Sequence, residues 1–406
     1  MRTRNLLCGL ALLVACGPDA AQQSASVTPP SAVLLLDTAR GLMSVEVPDG
    51  FVRMEIPNGV ANRDFSEVFS TKAGPRKTKI VRRETGSGSP LDKMTIRGRF
   101  AANVVGPKGL VALTPPRSEG ATPWLPDARV RTTVVVADSM SGTERRYRLR
   151  GNFEPEAFST NGRRLYMIEY IPPSEPNRYR VRILSLSTGE VSAIGRLKGQ
   201  APDQMRGTGR MQVYAPDGDE LYTLYTRQGP NYAHGTPVEV SPHPTNAFIH
   251  LLNLEDGWAH CIDLPLPFGK GSATASAIEV SPDGGRVFVT DWTNGAVAVV
   301  DPDDVKVLSV AQIHLGDADD ETFATTGGSG RLYVAGNDSV VTIDISSMKA
   351  VDRWQMDGEV TGLEVGPDGR TVYVAVGESV TMIDAAGGAQ VGVVAVDAVT
   401  NILNVF

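Results

Sequence analysis

Residues 275–313 have the sequence ASAIEVSPDGGRVFVTDWTNGAVAVVDPDDVKVLSVAQI. This stretch contains four short runs of β-prone residues, at 277–280, 286–291, 296–300 and 305–310. The runs are separated by the triplets Pro282-Asp283-Gly284, Thr293-Asn294-Gly295 and Pro302-Asp303-Asp304. Because tight turns require Pro, Asn, Asp and Gly, the stretch predicts a four-stranded antiparallel meander. One such sheet has two open edges and too little apolar surface to be stable alone, so it needs neighbours.

Copies of this unit recur along the chain. Equivalent turns lie near Arg63, Pro107, Thr160, Pro216, Pro282, Gly327 and Pro367. Their spacing of about 40 to 66 residues is typical of propeller blades that carry inserted loops. The sequence therefore predicts an all-β protein, a β-propeller of four-stranded antiparallel blades. The repeat count is eight, and seven is the alternative if the compressed second unit, residues 59–97, merges with a neighbour.

The two ends of the chain each carry part of a unit. Residues 33–56 align with the last three strands of the 275–313 unit and lack an innermost strand. Residues 400–406 (TNILNVF) form an isolated β-prone run that could supply it. We therefore expect the N- and C-terminal strands to share one blade, which removes the last open edges of the ring.

The N-terminus has the features of a secretory signal. Basic residues are followed by the apolar run 6–15 and then by Cys16, and this run is too short to span a bilayer. The tetrapeptide Leu13-Val14-Ala15-Cys16 resembles the lipobox of bacterial lipoproteins, which implies cleavage before Cys16 and lipid on the new N-terminal cysteine. The alternative is an ordinary cleaved signal. The expected organisation is a signal peptide at 1–15, the lipidated cysteine and a flexible tether at 16–32, and one propeller domain at 33–406.

Composition restricts the classes of partner. The chain has 406 residues, 21% charged and 41% hydrophobic, with a net charge of -7. These values are ordinary for a soluble globular protein, and the negative charge argues against a broad nucleic-acid surface. Of the three cysteines, Cys8 would leave with the signal and Cys16 would carry lipid, so Cys261 would have no disulfide partner. The expected partners are the membrane of the bacterial envelope, reached through Cys16, and an unidentified envelope protein or small ligand.

Several of the turn-and-strand segments have a recognisable pattern. The quoted segments are 280–284 with 286–289, 366–374, and 214–218. They resemble the YVTN-type (YncE-like) β-propeller repeat, and further segments resemble secreted bacterial propeller lipoproteins of unassigned activity. The resemblance implies the fold but not the function, since propellers host binding scaffolds, lactonases, quinoproteins and oxidoreductases alike.

The sequence contains no G-x-S-x-G, H-E-x-x-H, C-x-x-C or G-x-x-x-x-G-K-[ST] motif, so the usual hydrolase, redox and nucleotide-binding signatures are missing. Two groups of residues could hold a ligand or a divalent metal ion: His234, His243 and His250, and Asp317, Asp319 and Asp320. Imidazoles suit transition metals and carboxylates suit Ca²⁺, but neither spacing matches a metal signature. Solvent-facing loop residues are the favoured interpretation of both groups.

The favoured interpretation is a lipid-anchored extracytoplasmic scaffold that binds a ligand or a protein without catalysis and needs no cofactor. The alternative is a lactonase-like hydrolase that uses His and carboxylate groups at the channel mouth, with or without a divalent metal. A basic cluster, formed by Lys72, Arg76, Lys77, Lys79, Arg82 and Arg83, could face anionic lipid or a phosphate-rich polymer. The favoured interpretation of this cluster is an edge strand protected by charge against pairing.

Overall fold

The computed structural model describes residues 31–118, 126–197, 204–205, 209–226, 246–316 and 321–406. These residues form eight antiparallel sheets, which are the blades of a β-propeller. They contain no α-helix, and a turn of 3₁₀ helix covers Pro107–Gly109. None of their helical segments is long and apolar enough to cross a membrane. The predicted eight-bladed, all-β fold is confirmed.

The strands follow one another blade by blade. Blade 1 contains β1 (Ala32–Thr38), β2 (Gly41–Val47) and β3 (Phe51–Ile56), and blade 2 contains β4 (Gly59–Ala61), β5 (Glu67–Ala73), β6 (Lys77–Glu84) and β7 (Pro90–Arg97). Blade 3 contains β8 (Ala101–Val105), β9 (Leu110–Thr114), β10 (Arg131–Asp138) and β11 (Thr143–Arg150). Blade 4 contains β12 (Asn152–Phe158), β13 (Arg164–Ile171), β14 (Arg178–Ser185) and β15 (Val191–Ala193).

Blade 5 has a fifth strand. It contains β16 (Gly195–Arg196), β17 (Gly209–Tyr214), β18 (Glu220–Thr226), β19 (Ala247–Asn253) and β20 (Trp258–Asp263), and the short β16 pairs in parallel with β20. Blade 6 contains β21 (Ser276–Val280), β22 (Val287–Asp291), β23 (Ala296–Asp301) and β24 (Lys306–Gln312). Blade 7 contains β25 (Thr322–Gly327), β26 (Arg331–Gly336), β27 (Ser339–Asp344) and β28 (Lys349–Gln355). Blade 8 contains β29 (Val360–Val365), β30 (Thr371–Val376), β31 (Ser379–Asp384) and β32 (Gln390–Ala395).

The last strand, β33 (Val399–Val405), returns to blade 1 and gives the order β3-β2-β1-β33. Leu34 lies opposite Val405 and Leu36 opposite Ile402 in this pairing. Val33 N–H donates to Phe406 O at 3.1 Å, and Phe406 N–H donates to Val33 O at 2.9 Å. The predicted closure of the ring by the two chain ends is confirmed.

The position of each strand in its blade decides how it is buried. The second strand of a blade has both of its surfaces covered by neighbouring blades, so β22 (VFVTD) is buried throughout. The outermost strand faces solvent at its edge, and β24 (KVLSVAQ) is mostly exposed. Each apolar cluster spans two neighbouring blades; one joins Leu34 and Val45 of blade 1 to Tyr373 and Val394 of blade 8. Burial of side chains between blades is therefore what makes each small sheet stable.

The up-and-down order gives the propeller two distinct faces. The innermost strands, β33 and the first strands of the other blades, all run in the same axial direction. The turns that follow them lie on the face where Val33 meets Phe406, which we call the terminal face. The turns between the second and third strands lie on the other side, which we call the opposite face.

The interpretation of the basic cluster as an edge strand was wrong. Lys77, Lys79, Arg82 and Arg83 belong to β6, which is hydrogen-bonded to β5 on one side and to β7 on the other. The outer strand β7 pairs with β6 from Lys77 to Arg83, so β6 lies inside the sheet and not at its edge.

Candidate functional site: the terminal mouth of the channel

Most residues proposed from the sequence fall outside the described parts of the chain. These are Cys16, His234, His243, Asp317, Asp319 and Asp320. His250 is described and lies on β19, opposite Thr223 and Cys261, with 3% of its surface exposed. Its ring meets that of Tyr225 edge to face, with the centroids 6.3 Å apart. His250 thus lies in the core of blade 5, and its role as a ligand stays a prediction.

In the described ranges, no three His, Cys, Asp or Glu side chains are grouped closely enough to hold a metal ion. Cys261 is also buried, in a cluster with Tyr225 and Phe248, and its pKa is raised well above the usual value by burial and by the charge of Asp263. A buried thiol of raised pKa behaves as a small apolar residue, not as a nucleophile.

Polar side chains of the described residues instead converge on the channel near the terminal face. Glu279 on β21 and Glu364 on β29 occupy equivalent positions, each three residues before the proline of the following turn, Pro282 or Pro367. Blade 7 separates their two blades, and its inner strand carries Thr325 between them. Both glutamates keep partial access to the lumen while neighbouring strands surround them.

Threonines of blade 7 hold both carboxyl groups. Thr325 Oγ1 donates to Glu364 Oε1 at 2.9 Å, and the N–H of Val365 donates to the same oxygen at 3.1 Å. Thr326 Oγ1 lies 3.3 Å from Glu279 Oε1 and 3.1 Å from the carbonyl oxygen of Val280. One strand therefore positions two carboxyl groups from the two blades beside it.

The environment of this pair favours protonation. Burial raises the pKa of Glu279 well above its usual range, and the charge of Glu364 raises it further. Burial raises the pKa of Glu364 to about 7, although the hydrogen bonds from Thr325 and Val365 lower it. Because two interacting carboxyl groups titrate as a unit, we assign the retained proton near neutral pH to the pair.

On the other side of the lumen, blades 4 and 5 supply a second polar group. Gln212 Nε2 on β17 donates to Glu156 Oε1 on β12 at 2.7 Å and also lies 3.2 Å from Thr223 Oγ1. Burial raises the pKa of Tyr214, and the charge of Glu156 adds to this effect. The mouth is thus lined by acceptors from at least three blades.

An arginine reaches across the mouth. Arg63 follows β4 in blade 2, and its Nη1 donates at 2.7 Å to the carbonyl oxygen of Gly218, in the turn after β17 of blade 5. Two blades separate these turns along the ring. A Cβ atom on Gly218 would lie 2.4 Å from Arg63 Cζ, so the glycine provides room for the guanidinium group.

Residues 277–280 were predicted as a strand, but neither Glu279 nor Glu364 was singled out as a site residue. A signal was present in the repeats, since an acidic residue precedes the turn proline by three positions in both segments. A charged residue on an otherwise apolar inner strand is an exception to core composition and indicates a role at the lumen. The threonines, however, could be assigned as partners only with blades 6, 7 and 8 in place.

Comparison with known proteins supports the β-propeller fold but identifies no family. No family model matches the chain, and no curated protein matches it. Among solved structures, apo AztD from Citrobacter koseri is 11% identical with a TM-score of 0.54, over 92% of this chain and 96% of that one. Sqt1 from Saccharomyces cerevisiae is 12% identical with a TM-score of 0.50, over 84% of this chain and 85% of that one. These similarities show the fold alone.

A third solved structure is titled a putative 6-phosphogluconolactonase from Bacteroides fragilis. It is 12% identical with a TM-score of 0.49, over 96% of this chain and 100% of that one.

Proposed function

We propose that this chain is a lipid-anchored extracytoplasmic β-propeller that acts as a binding scaffold and takes a small ligand at the terminal mouth of the channel. The observation that carries the proposal is the pair formed by Glu279 and Glu364. Their carboxyl groups have raised pKa values, face a shared lumen and are held by hydrogen bonds from blade 7. Carboxyl groups with perturbed pKa values are typical of functional sites.

The chemistry of the mouth favours ligands that carry amino or hydroxyl groups. Carboxylate oxygens accept hydrogen bonds, and the pair adds negative charge where Glu156 contributes a third acidic side chain. An amino group would meet a charged acceptor, while a hydroxyl group could both donate to a carboxylate and accept from a protonated carboxyl. Arg63, which crosses the mouth, would restrict the size of the ligand.

The anchor and the repeat type form the second part of the proposal. Residues 1–15 would be a signal peptide, Cys16 would carry lipid, residues 16–32 would tether the propeller formed by 33–406, and the repeats would be of the YVTN type. The lipobox-like Leu13-Val14-Ala15-Cys16 supports the anchor. Cys16→Ala should release the protein from the membrane fraction of the cell that expresses it. If the variant still sediments with the membrane, the anchor proposal fails.

A lactonase-like hydrolase is the alternative that one observation favours. Two interacting carboxyl groups with raised pKa values can act as general acid and general base near neutral pH, which is the pairing that ester hydrolysis needs. Glu364 would then take a proton from water attacking the lactone carbonyl. The described residues do not bring a metal-binding group to this pair to assist the reaction.

One experiment separates the two functions. The purified propeller is mixed with spermidine, glucose or δ-gluconolactone, and both the thermal midpoint and the loss of lactone are measured against buffer. The scaffold predicts that spermidine raises the midpoint in the wild type but not in Glu364→Gln, and that the lactone disappears at the buffer rate. Glu378→Gln, an exposed glutamate of the same blade, is the matched control. Lactone hydrolysis that is lost in Glu364→Gln would show that the protein is a hydrolase and not a non-catalytic scaffold.

A further inference from the structure

A second surface, remote from the channel mouth, collects positive charge in this acidic protein. Nine of the exposed cationic side chains on blades 2 and 3 form one group: Lys72, Arg76, Lys77, Lys79, Arg97, Arg99, Arg131, Arg148 and Arg150. The first six come from the β5–β6 hairpin and the end of β7, and the other three from β10 and β11. We call these nine residues the basic surface. All lie toward the opposite face, where β5, β7 and β11 end and β6 and β10 begin.

None of the nine side chains forms an ion pair with another residue that the structure describes. Acidic residues nearby are already paired with other arginines. Arg82 lies 2.8 Å from Glu67 and also contacts Asp92, and Arg146 lies 2.7 Å from Glu144. The positive charge of the basic surface is therefore not neutralised from within blades 2 and 3.

The strand register places like charges directly opposite each other. Lys72 lies opposite Lys79, and Lys77 lies opposite Arg97. In blade 3, Arg131 lies opposite Arg150. Like charges that lie directly opposite each other destabilise a sheet. Three such pairs in two neighbouring blades lower stability without a structural benefit, which points to a functional reason for them.

The basic surface continues across the boundary between the two blades. Arg146 on β11 donates through Nη2 to the backbone oxygen of Arg97 at 2.5 Å, and its guanidinium group lies 5.3 Å from the centre of the Phe100 ring. Phe69 and Ile80 of blade 2 share a buried cluster with Val111 and Val135 of blade 3. The two groups of cations are thus held in a fixed relation on one rigid support.

Blades 7 and 8 carry acidic side chains at the same face. On blades 7 and 8, Glu321, Asp357, Glu359 and Glu378 are exposed near the ends of strands at this face. The pKa of Glu321 is raised by burial and by the charge of Glu359, so these acids are close enough to interact. A flat anionic membrane lying across the opposite face would contact the cations of blades 2 and 3 but would be repelled by the acidic side chains of blades 7 and 8. A chain-like ligand can occupy blades 2 and 3 alone.

We propose that the basic surface binds a linear, phosphate-rich polymer. Six of the nine cations are arginines, whose planar guanidinium groups match phosphate oxygens in pairs. A row of unpaired cations on two adjoining blades suits a ligand whose charges repeat along a chain. This binding is independent of the channel mouth.

The test uses long-chain inorganic polyphosphate as the probe and the whole protein with Cys16→Ala to remove the proposed lipid. Affinity is measured between about 50 and 200 mM salt, because each lost phosphate contact reduces the slope of log affinity against log salt by about 0.7. Lys79→Gln/Arg150→Gln should weaken binding at least about tenfold and reduce the slope by about 1.4. Lys349→Gln/Arg370→Gln removes the same charge from exposed positions on blades 7 and 8 and should leave binding unchanged.

Stability gives the second readout. Because each substitution in the first variant relieves a like-charge pair, its thermal midpoint should stay the same or rise. A falling midpoint would show that the cations are structural and would overturn the proposal. Equal losses of affinity in both double variants would overturn it as well, since net charge alone would then explain binding. Binding is also measured to vesicles rich in phosphatidylglycerol. Tighter binding to these vesicles than to polyphosphate would show that the basic surface binds a membrane and would overturn the proposal.

Discussion

Closure of the ring by β33 can be tested with a single buried side chain. Ile402 is 2% exposed and lies opposite Leu36 of β1. It shares a cluster with Val399, Val405 and residues of blade 8. Ile402→Ala removes this packing but keeps the backbone pairing, so its effect reports how much the shared blade contributes to the stability of the whole propeller.

The magnitude follows from the burial. Replacement of a fully buried Ile by Ala lowers the free energy of unfolding by about 2–5 kcal/mol. For the roughly 375 residues of the propeller, the entropy of unfolding near the midpoint is about 0.8 kcal/mol per kelvin. The thermal midpoint should therefore fall by about 3–6 °C, measured by calorimetry, with a matching loss in denaturant titration. Thr400→Ala, an exposed position on the same strand, should change the free energy by less than about 0.5 kcal/mol.

Deletion of residues 400–406 extends the test. The truncation removes Ile402 and Val405, both buried, and the hydrogen bonds between Val33 and Phe406. The truncation should lower the free energy of unfolding by more than Ile402→Ala does, by an amount that approaches the total stability of a domain, about 5–15 kcal/mol. If Ile402→Ala has the same thermal midpoint as Thr400→Ala, or if the truncated chain keeps the wild-type midpoint, the stability of the ring does not depend on its shared blade.

Two further predictions concern the channel mouth. The pKa of Glu364, raised to about 7, gives the folded state more bound protons than the unfolded state between about pH 4.5 and 7. Stability should therefore be lost as pH rises through this window, and Glu364→Gln should remove that loss, on the order of 1–3 kcal/mol at pH 8, in denaturant titrations at several pH values. A wild-type stability curve parallel to that of Glu364→Gln would contradict the raised pKa. Gly218→Ala should lower the free energy of unfolding by about 0.5–1.5 kcal/mol more than Gly142→Ala does. Both glycines have φ near +70°, but only at Gly218 would the new Cβ meet a neighbour, the side chain of Arg63. The excess should vanish when Arg63 is replaced by Ala, and an excess that persists would show that the contact is not its cause.

How much of the structure could be predicted depends on the range of the interactions involved. The turn triplets around Pro282 and Pro302 act locally, so the strands of blade 6 were placed within a few residues of their observed bounds. The shared blade could be predicted because residues 33–56 and 400–406 each lack what the other supplies. In contrast, β16 contains two residues and pairs with β20, about 60 positions away, so no local pattern could have indicated it.

The site was harder to predict than the fold because its parts belong to different blades. Thr325 and Thr326 resemble any polar residues of a strand until blades 6 and 8 bring a carboxyl group to each of them. His250 was singled out for its residue type and proved to be a core residue, since a buried third strand accepts a small aromatic ring as readily as an apolar side chain. Residue type alone therefore indicated less than the position of a residue in its blade.

The closing strand and the carboxyl pair are also mechanically connected. Gly362 lies two residues before Glu364, and a Cβ atom on it would come within 2.7 Å of the Ile402 backbone nitrogen, so β29 packs directly on the backbone of β33. A weakened β33 should let β29 move away and admit water around Glu364. Since burial is the main cause of its raised pKa, Ile402→Ala should shift that pKa toward the ordinary value near 4.5. A Glu364 carboxyl signal that titrates identically in the wild type and in Ile402→Ala would show that the mouth is held without help from the shared blade.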